Sequence, residues 1–236
     1  ADVAMRFYNS DGSLGEMCGN GARCVCRYAC ECGYAGDTVR VETTAGLVTG
    51  WRQSRDRFRI RLNTPTVLET ERVLTLDGET YCCGYAELGN PGIPHLTVEI
   101  PDLLLRIDDE EALGALRMLG RKLRYHPALP KGANVNFYQV TGPQHLRQLT
   151  YERGVEDFTL ACGTGAGSLA AVLTASGRMD GANVQVQTAG GDLDVEVEME
   201  AGRVENLYLT GAALIVYSGE LAEEFLQPVV IEDIMD

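Results

Sequence analysis

The chain repeats itself once. Cys18-Gly19-Asn20-Gly21-Ala22 recurs as Cys162-Gly163-Thr164-Gly165-Ala166, and each copy runs 15 residues on to a glycine, Gly33 or Gly177. Each is preceded by a turn-like segment, Tyr8-Asn9-Ser10-Asp11-Gly12 or Tyr151-Glu152-Arg153-Gly154. Each is followed by an alternating run, Val39-Arg40-Val41-Glu42-Thr43 or Val184-Gln185-Val186-Gln187-Thr188. Alternation of this kind marks a strand with one buried face. A long unit present twice is not a solenoid period and implies two pseudo-equivalent domains.

Each unit reads as strand, turn, Cys-Gly-x-Gly, helix, turn, strand. The first helix runs through Ala22–Tyr28 and stops at Gly33, the second from Ala166 to Ala175, stopping at Gly177; glycine after a last turn is the usual helix stop. The second helix is almost wholly apolar, so it belongs inside its domain. A third helix is expected over Asp109–Leu119, with acidic residues in its first turn. Ala1–Tyr8 reads as a strand. Leu47–Trp51 should pair with Arg57–Leu62, and Leu193–Met199 with Arg203–Leu209, with Leu214–Tyr217 as a last strand. The expected class is α+β: two pseudo-symmetric domains, each a curved, mostly antiparallel sheet wrapped around a central helix, with the active site in the cleft between them. The expected division is 1–62, completed by 219–236, and 63–218. The chain starts directly on a strand pattern, and a segment is expected upstream of it.

Among 236 residues, 34 Asp and Glu outweigh 20 Lys and Arg, for a net charge of −14. This opposes non-specific nucleic-acid binding, which needs a basic surface. No run approaches the ~18 apolar residues of a membrane span. Of eight cysteines, five lie between Cys18 and Cys32, but Cys24-x-Cys26 and Cys30-x-Cys32 lack the spacing of metal ligands. A chain this long does not need a disulfide framework. The extra cysteines read as small buried hydrophobes. Free thiols imply a reducing, cytoplasmic location and no metal.

The two cysteines at helix starts carry the chemistry. A helix N-terminus presents unpaired N–H groups and partial positive charge, and flanking glycines let an anion approach closely. The same field favours a thiolate. Two such loops facing one cleft would place a sulfur on either side of one substrate carbon. One sulfur would remove a proton and the other return one to the opposite face, inverting the centre. Nothing suggests a pyridoxal cofactor, since the only lysines are Lys122 and Lys131. A single Cys-Gly-x-Gly is more often a helix cap; two copies in matched contexts favour catalysis.

The segment from Asn9 through Glu16-Met17-Cys18-Gly19-Asn20-Gly21-Ala22-Arg23-Cys24 resembles the first cysteine motif of the diaminopimelate epimerases, and Tyr151–Ala166 resembles the second. Gly89-Asn90-Pro91 and Gly132–Phe137 resemble two further segments of that family. The resemblance implies cofactor-independent epimerisation of LL- to meso-diaminopimelate in lysine and peptidoglycan precursor synthesis, and a homodimer. It implies Cys18 and Cys162 as the acid/base pair, with backbone amides of Gly19, Asn20, Gly163 and Thr164 holding the α-carboxylate. Asn9, Asn90, Asn134 and Arg153 would grip the distal end of the substrate, and Glu152 the reacting amino group. Read without the family, each Asn is equally a turn or cap residue and Arg153 a surface charge. The chain departs from the family pattern in three places. The family's Gly-Asn-Asp-Phe segment would lie upstream of Ala1, where this sequence starts, His95 stands three residues beyond the family's His, and Phe158 replaces a Glu. The competing readings are a related racemase of another amino acid and an inactive binding relic.

Overall fold

Residues 1–8, 12, 14–15, 17–220 and 222 are described in a computed structural model. Strands β1 (Val3–Ala4), β2 (Phe7–Tyr8) and β3 (Leu14–Gly15) lead into helix α1 (Gly19–Glu31). Then come β4 (Thr38–Thr43), β5 (Gly46–Arg52), β6 (Arg57–Leu62), β7 (Pro65–Leu76), β8 (Glu79–Leu88) and β9 (Ile93–Glu99). Helices α2 (Leu103–Ile107) and α3 (Glu110–Arg124) precede β10 (Asn134–Gly142), β11 (His145–Tyr151) and β12 (Phe158–Thr159). Helix α4 (Gly163–Ala175) is followed by β13 (Val184–Thr188), β14 (Gly191–Glu200) and β15 (Arg203–Ala212).

The sequence repeat is a structural repeat down to single hydrogen bonds. Helices α1 and α4 both have 13 residues and start at extended N-cap cysteines, Cys18 and Cys162. Each ends on a glycine of positive φ, 72° at Gly33 and 73° at Gly177. Gly33 N–H donates to Cys30 O, and Gly177 N–H donates to Thr174 O. Past each helix, the β4–β5 and β13–β14 hairpins close with the same device: Thr43 Oγ1 donates to Gly46 O and Thr188 Oγ1 to Gly191 O, both at 2.7 Å. Strand order matches too. β1-β4-β5-β6 on one side mirrors β11-β13-β14-β15 on the other, and the outer pair, β1–β4 or β11–β13, is parallel in both. The two halves meet where β6 pairs antiparallel with β15, so one hydrogen-bonded sheet runs through both. Beyond β11 the second half adds β10, β9, β8 and β7.

Burial follows the alternation read from sequence. β4 alternates exposed and buried at every position, and so does β13 from a buried start. Helix α4 buries ten of its thirteen residues and packs on β14, β15, β8 and β7, as its apolar composition requires. A second apolar cluster, centred on Leu96, Leu116, Leu123, Phe137 and Tyr151, lies under α3. Among the described residues no helix is long and apolar enough to cross a membrane.

Several expectations fail locally. Leu214–Tyr217 is not a strand; all four residues are exposed. Sheet pairing stops at Ala212, and Ala213 N–H turns instead to Asp56 O. Ala1–Tyr8 is broken into two short strands in different sheets. Of the extra cysteines only Cys26 and Cys83 are buried, whereas Cys24, Cys32 and Cys82 are exposed, because a helix or strand turns alternate positions to solvent. Residues 221 and 223–236, assigned from sequence to the first domain, lie outside the described residues.

Two glycines of α3 make opposite demands. A Cβ on Gly114 would meet nothing within 4 Å, while one on Gly120 would lie 2.8 Å from Tyr151 Cβ. Gly114→Ala is therefore expected to stabilise the protein by about 1 kcal/mol through helix propensity. Gly120→Ala is expected to destabilise it by about 1–3 kcal/mol through overpacking. Urea denaturation of the two variants checks this, and equal midpoints would contradict it.

Candidate active site

The N-termini of α1 and α4 converge because one side chain fits under both. A Cβ on Gly19 would lie 3.3 Å from Leu209 Cδ2, and one on Gly163 would lie 2.7 Å from the same atom. Leu209 is fully buried on β15, next to the seam between the halves. A side chain at position 163 would collide with that methyl group, and one at position 19 would crowd it. Both N-cap sulfurs consequently open onto one cavity of about 240 Å³.

The cavity is lined by Cys18, Gly19, Asn20, Asn134, Glu152, Arg153, Cys162, Gly163 and Thr164. Its apolar walls are Phe7, Tyr8, Met17, Ile93, Val155 and Ala161. Nine of the eleven residues singled out from sequence are thus brought together. Asn90 is not: it is exposed on the turn between β8 and β9, and Ile93, the first residue of β9, reaches the cavity instead. Asn9 lies outside the described residues. No periodicity or motif identifies the apolar walls, because they come from five separate segments.

The side chains are held from behind. Asn134, at the start of β10, accepts the Arg153 N–H through Oδ1 at 2.8 Å and donates to Pro94 O at 3.3 Å. Arg153 Nη1 donates to Lys131 O at 3.4 Å. Thr159 Oγ1 donates to Glu152 Oε2 at 2.7 Å. Burial pushes the Glu152 carboxyl above its usual range, opposed by that Thr159 bond.

The two sulfurs differ. Cys162 is buried, and its pKa is pushed up to about 12, first by burial and next by the Glu152 carboxylate. Thr164 Oγ1, 3.7 Å away, and the Gly165 N–H work against that rise. Cys18 is half-buried and accepts the Gly21 N–H at 3.4 Å. At neutral pH Cys162 therefore holds its proton.

Behind α4 lies a buried polar cluster that sequence reading does not reveal. Asn136 Oδ1 accepts from Gln148 Nε2 and Thr150 Oγ1, both at 3.0 Å, and its Nδ2 donates to Leu96 O at 3.1 Å. His95, fully buried on β9, places Nδ1 3.3 Å from the same Nδ2. It does not line the cavity. Burial, with the Arg153 charge second, lowers the His95 pKa to about 3, so the ring is neutral in the fold. Unfolding lets it protonate near its ordinary pKa of ~6.5. Its contribution to stability is therefore complete above pH ~6.5 and is lost as pH falls towards 3. At pH 5 this amounts to about 2 kcal/mol. His95→Gln should flatten the decline of stability between pH 6.5 and 5, measured by urea denaturation; a decline as steep as wild type would assign it to other groups.

Comparison with known proteins agrees with this geometry. The family model described as diaminopimelate epimerase matches residues 1–66 and 89–216. The diaminopimelate epimerase of Aquifex aeolicus is 38% identical over 229 residues, covering 96% of this chain and 77% of the relative. That of Archaeoglobus fulgidus is 38% identical over 232 residues, covering 94% and 76%. Among solved structures, a probable proline racemase from Agrobacterium radiobacter K84 has a TM-score of 0.72 at 21% identity, covering 98% of this chain and 74% of the other. A hydroxyproline epimerase from Agrobacterium vitis has a TM-score of 0.67 at 22% identity, covering 89% and 67%. These last two share the fold. The paired cysteine motifs, their meeting in one cavity and the near full-length match lead to one conclusion: the chain belongs to the diaminopimelate epimerase family.

Proposed function

We propose that this protein interconverts LL- and meso-diaminopimelate by a two-base mechanism in which Cys18 and Cys162 exchange one proton each with the substrate α-carbon. The observation that carries this reading is that both sulfurs, each the N-cap of a 13-residue helix, line one cavity. The α-carboxylate sits at the paired helix N-termini, on the backbone amides of Gly19, Asn20, Gly163 and Thr164. There two partial positive charges stabilise the negative charge that develops as the α-proton leaves. Cys162 begins as the acid. It serves the isomer whose α-proton faces Cys18: the Cys18 thiolate takes that proton, and the Cys162 thiol delivers its own to the opposite face. The electron pair returns to the α-carbon with inverted configuration, and the two sulfurs have traded protonation states. The other isomer runs the cycle backwards, so the reaction needs no cofactor.

Arg153 is the fitting partner for the distal carboxylate, because its fork can bind a carboxylate through two donors. Asn134 supports it through the Arg153 backbone. Asn9 and Asn90 enter this role from the family motif. Glu152, half-buried on the cavity wall, accepts the reacting amino group. The division into 1–62 and 63–218, a homodimer and a cytoplasmic location complete the proposal; sedimentation at the mass of a single chain would remove the dimer.

Incubating the protein with LL-diaminopimelate in heavy water tests the function. The expected product is the meso isomer carrying one α-deuteron, read by mass spectrometry and chiral chromatography. Recovery of unlabelled starting material, with label entering a different amino acid from a panel, would assign another substrate. Mild oxidation should also stop turnover and dithiothreitol restore it, with peptide mapping finding Cys18 joined to Cys162. Full activity of the oxidised protein would mean that the sulfurs do not face each other.

A further inference from the structure

Arg23 lies in the second turn of α1 and is only 5% exposed. Its guanidinium does not reach outward. Nη2 donates to Asn20 Oδ1 at 2.9 Å, and Nη1 lies 3.5 Å from Gly19 O. Asn20 in turn donates from Nδ2 to Ala161 O at 3.1 Å. Ala161 immediately precedes Cys162. A relay of two side chains therefore runs from the helix behind Cys18 to the backbone that carries the other sulfur, 141 residues away in sequence.

We propose that Arg23 is a positioning residue for the two-base step: by gripping Asn20, it ties the Cys162 loop to the Cys18 loop and sets where the second sulfur stands relative to the first.

The surroundings fit that role. A Cβ on Gly163 would lie 3.6 Å from Asn20 Oδ1 and 3.8 Å from Arg23 Nη1, so the relay runs directly beneath the first turn of α4. The guanidinium rests on Gly211 of β15, where a Cβ would come within 3.1 Å of its Cζ and Nε. Gly211 pairs with Phe58 of β6, which places Arg23 at the seam between the halves. Nothing mirrors it on the other side. The equivalent position in α4 is Gly167, where a Cβ would come 2.7 Å from Leu62 and 3.2 Å from Leu207. The repeat thus carries one tie, not two. A buried guanidinium is costly unless its charge is used. Burial lowers the Arg23 pKa.

The role rests on the two-base reading and has a readout separate from stability. In heavy water each thiol carries a solvent deuteron. When the second thiol is correctly placed, the carbanion left by the first sulfur takes its deuteron from the opposite face, and label appears in the epimer. When that thiol is misplaced, the first sulfur, its proton exchanged for a deuteron, returns it to the same face, and label appears in recovered substrate of unchanged configuration. The ratio of label in recovered substrate to label in epimer, taken at early turnover, does not depend on the fraction of protein folded.

Arg23→Met and Asn20→Ala are each expected to raise that ratio about tenfold over wild type, the effect of about 1.4 kcal/mol on the competing protonations. Asn20→Ala keeps the backbone amide of the carboxylate cradle and removes only the relay, so it serves if Arg23→Met does not fold. An unchanged ratio in folded Asn20→Ala would reduce Arg23 to packing and overturn the proposal. A wild-type enzyme that introduces no deuterium at all would instead remove the two-base reading, and this role with it.

Discussion

Replacing either Cys18 or Cys162 with Ala is expected to cut inversion by at least about 10³-fold, because each sulfur is one of two obligatory proton carriers and a single acid/base group contributes ~10²–10⁴-fold. The fold should survive both changes. Cys18 accepts one long hydrogen bond from Gly21 N–H, and Cys162 makes no capping bond to its own helix, so neither helix start depends strongly on its sulfur. Loss of a cap costs about 1 kcal/mol, small against typical domain stability. The check is initial-rate epimerisation alongside circular dichroism and a denaturation midpoint. A variant that keeps wild-type inversion would sink the two-base assignment; one that merely unfolds would show at the midpoint.

The second large effect concerns stability. Gly165→Ala is expected to destabilise the protein by about 3–5 kcal/mol. Its Cβ would stand 2.2 Å from Asn136 Oδ1 and 2.9 Å from Gln148 Nε2. Asn136 cannot step aside without breaking bonds to Gln148, Thr150 and Leu96 in a region closed to water. Each buried polar group left unpartnered costs about 1–3 kcal/mol, on top of the overpacking itself. The matching position in the first copy behaves differently. A Cβ on Gly21 would meet Cys18 Cβ and Met5 Sδ at 3.5 Å, which is ordinary contact. Gly21→Ala should therefore cost less than about 1 kcal/mol, and urea denaturation of the pair measures the difference. Equal losses would mean that the Asn136 cluster is not rigid.

That contrast marks how far the chain could be read in one dimension. Local rules carried α1, α4, the strands β4 and β13 and the hairpins β5–β6 and β14–β15, because caps, stop glycines, alternation and turn residues all act within a few residues. Helix α3 was legible for the same reason, though it continues to Arg124. Strands β8, β9 and β10 escaped notice because each carries a run buried on both faces and loses the alternation that marks a half-exposed strand. Leu214–Tyr217 misled in the other direction: its composition suits a strand, but among the described residues no neighbouring strand pairs with it.

The candidate site divides the same way. Cys18, Cys162 and their glycines could be named from the repeat, since helix starts and close-approach glycines are local features. Arg153, Glu152 and Asn134 could be named only through resemblance. Asn90, taken from the same resemblance, ends on an exposed turn, while Ile93 reaches the cavity.

What the amino-acid order determined alone is the existence of two like units, the type of helix start in each and the pair of thiols. Only the tertiary structure decided that the two starts meet over one methyl of Leu209, that one sulfur is buried and the other half-open, and that Asn20, held by Arg23, donates across to the Ala161 carbonyl. The physical reason is distance along the chain. Capping, alternation and turn geometry act across a few residues, whereas packing and desolvation depend on neighbours some 140 positions away, which no local pattern encodes.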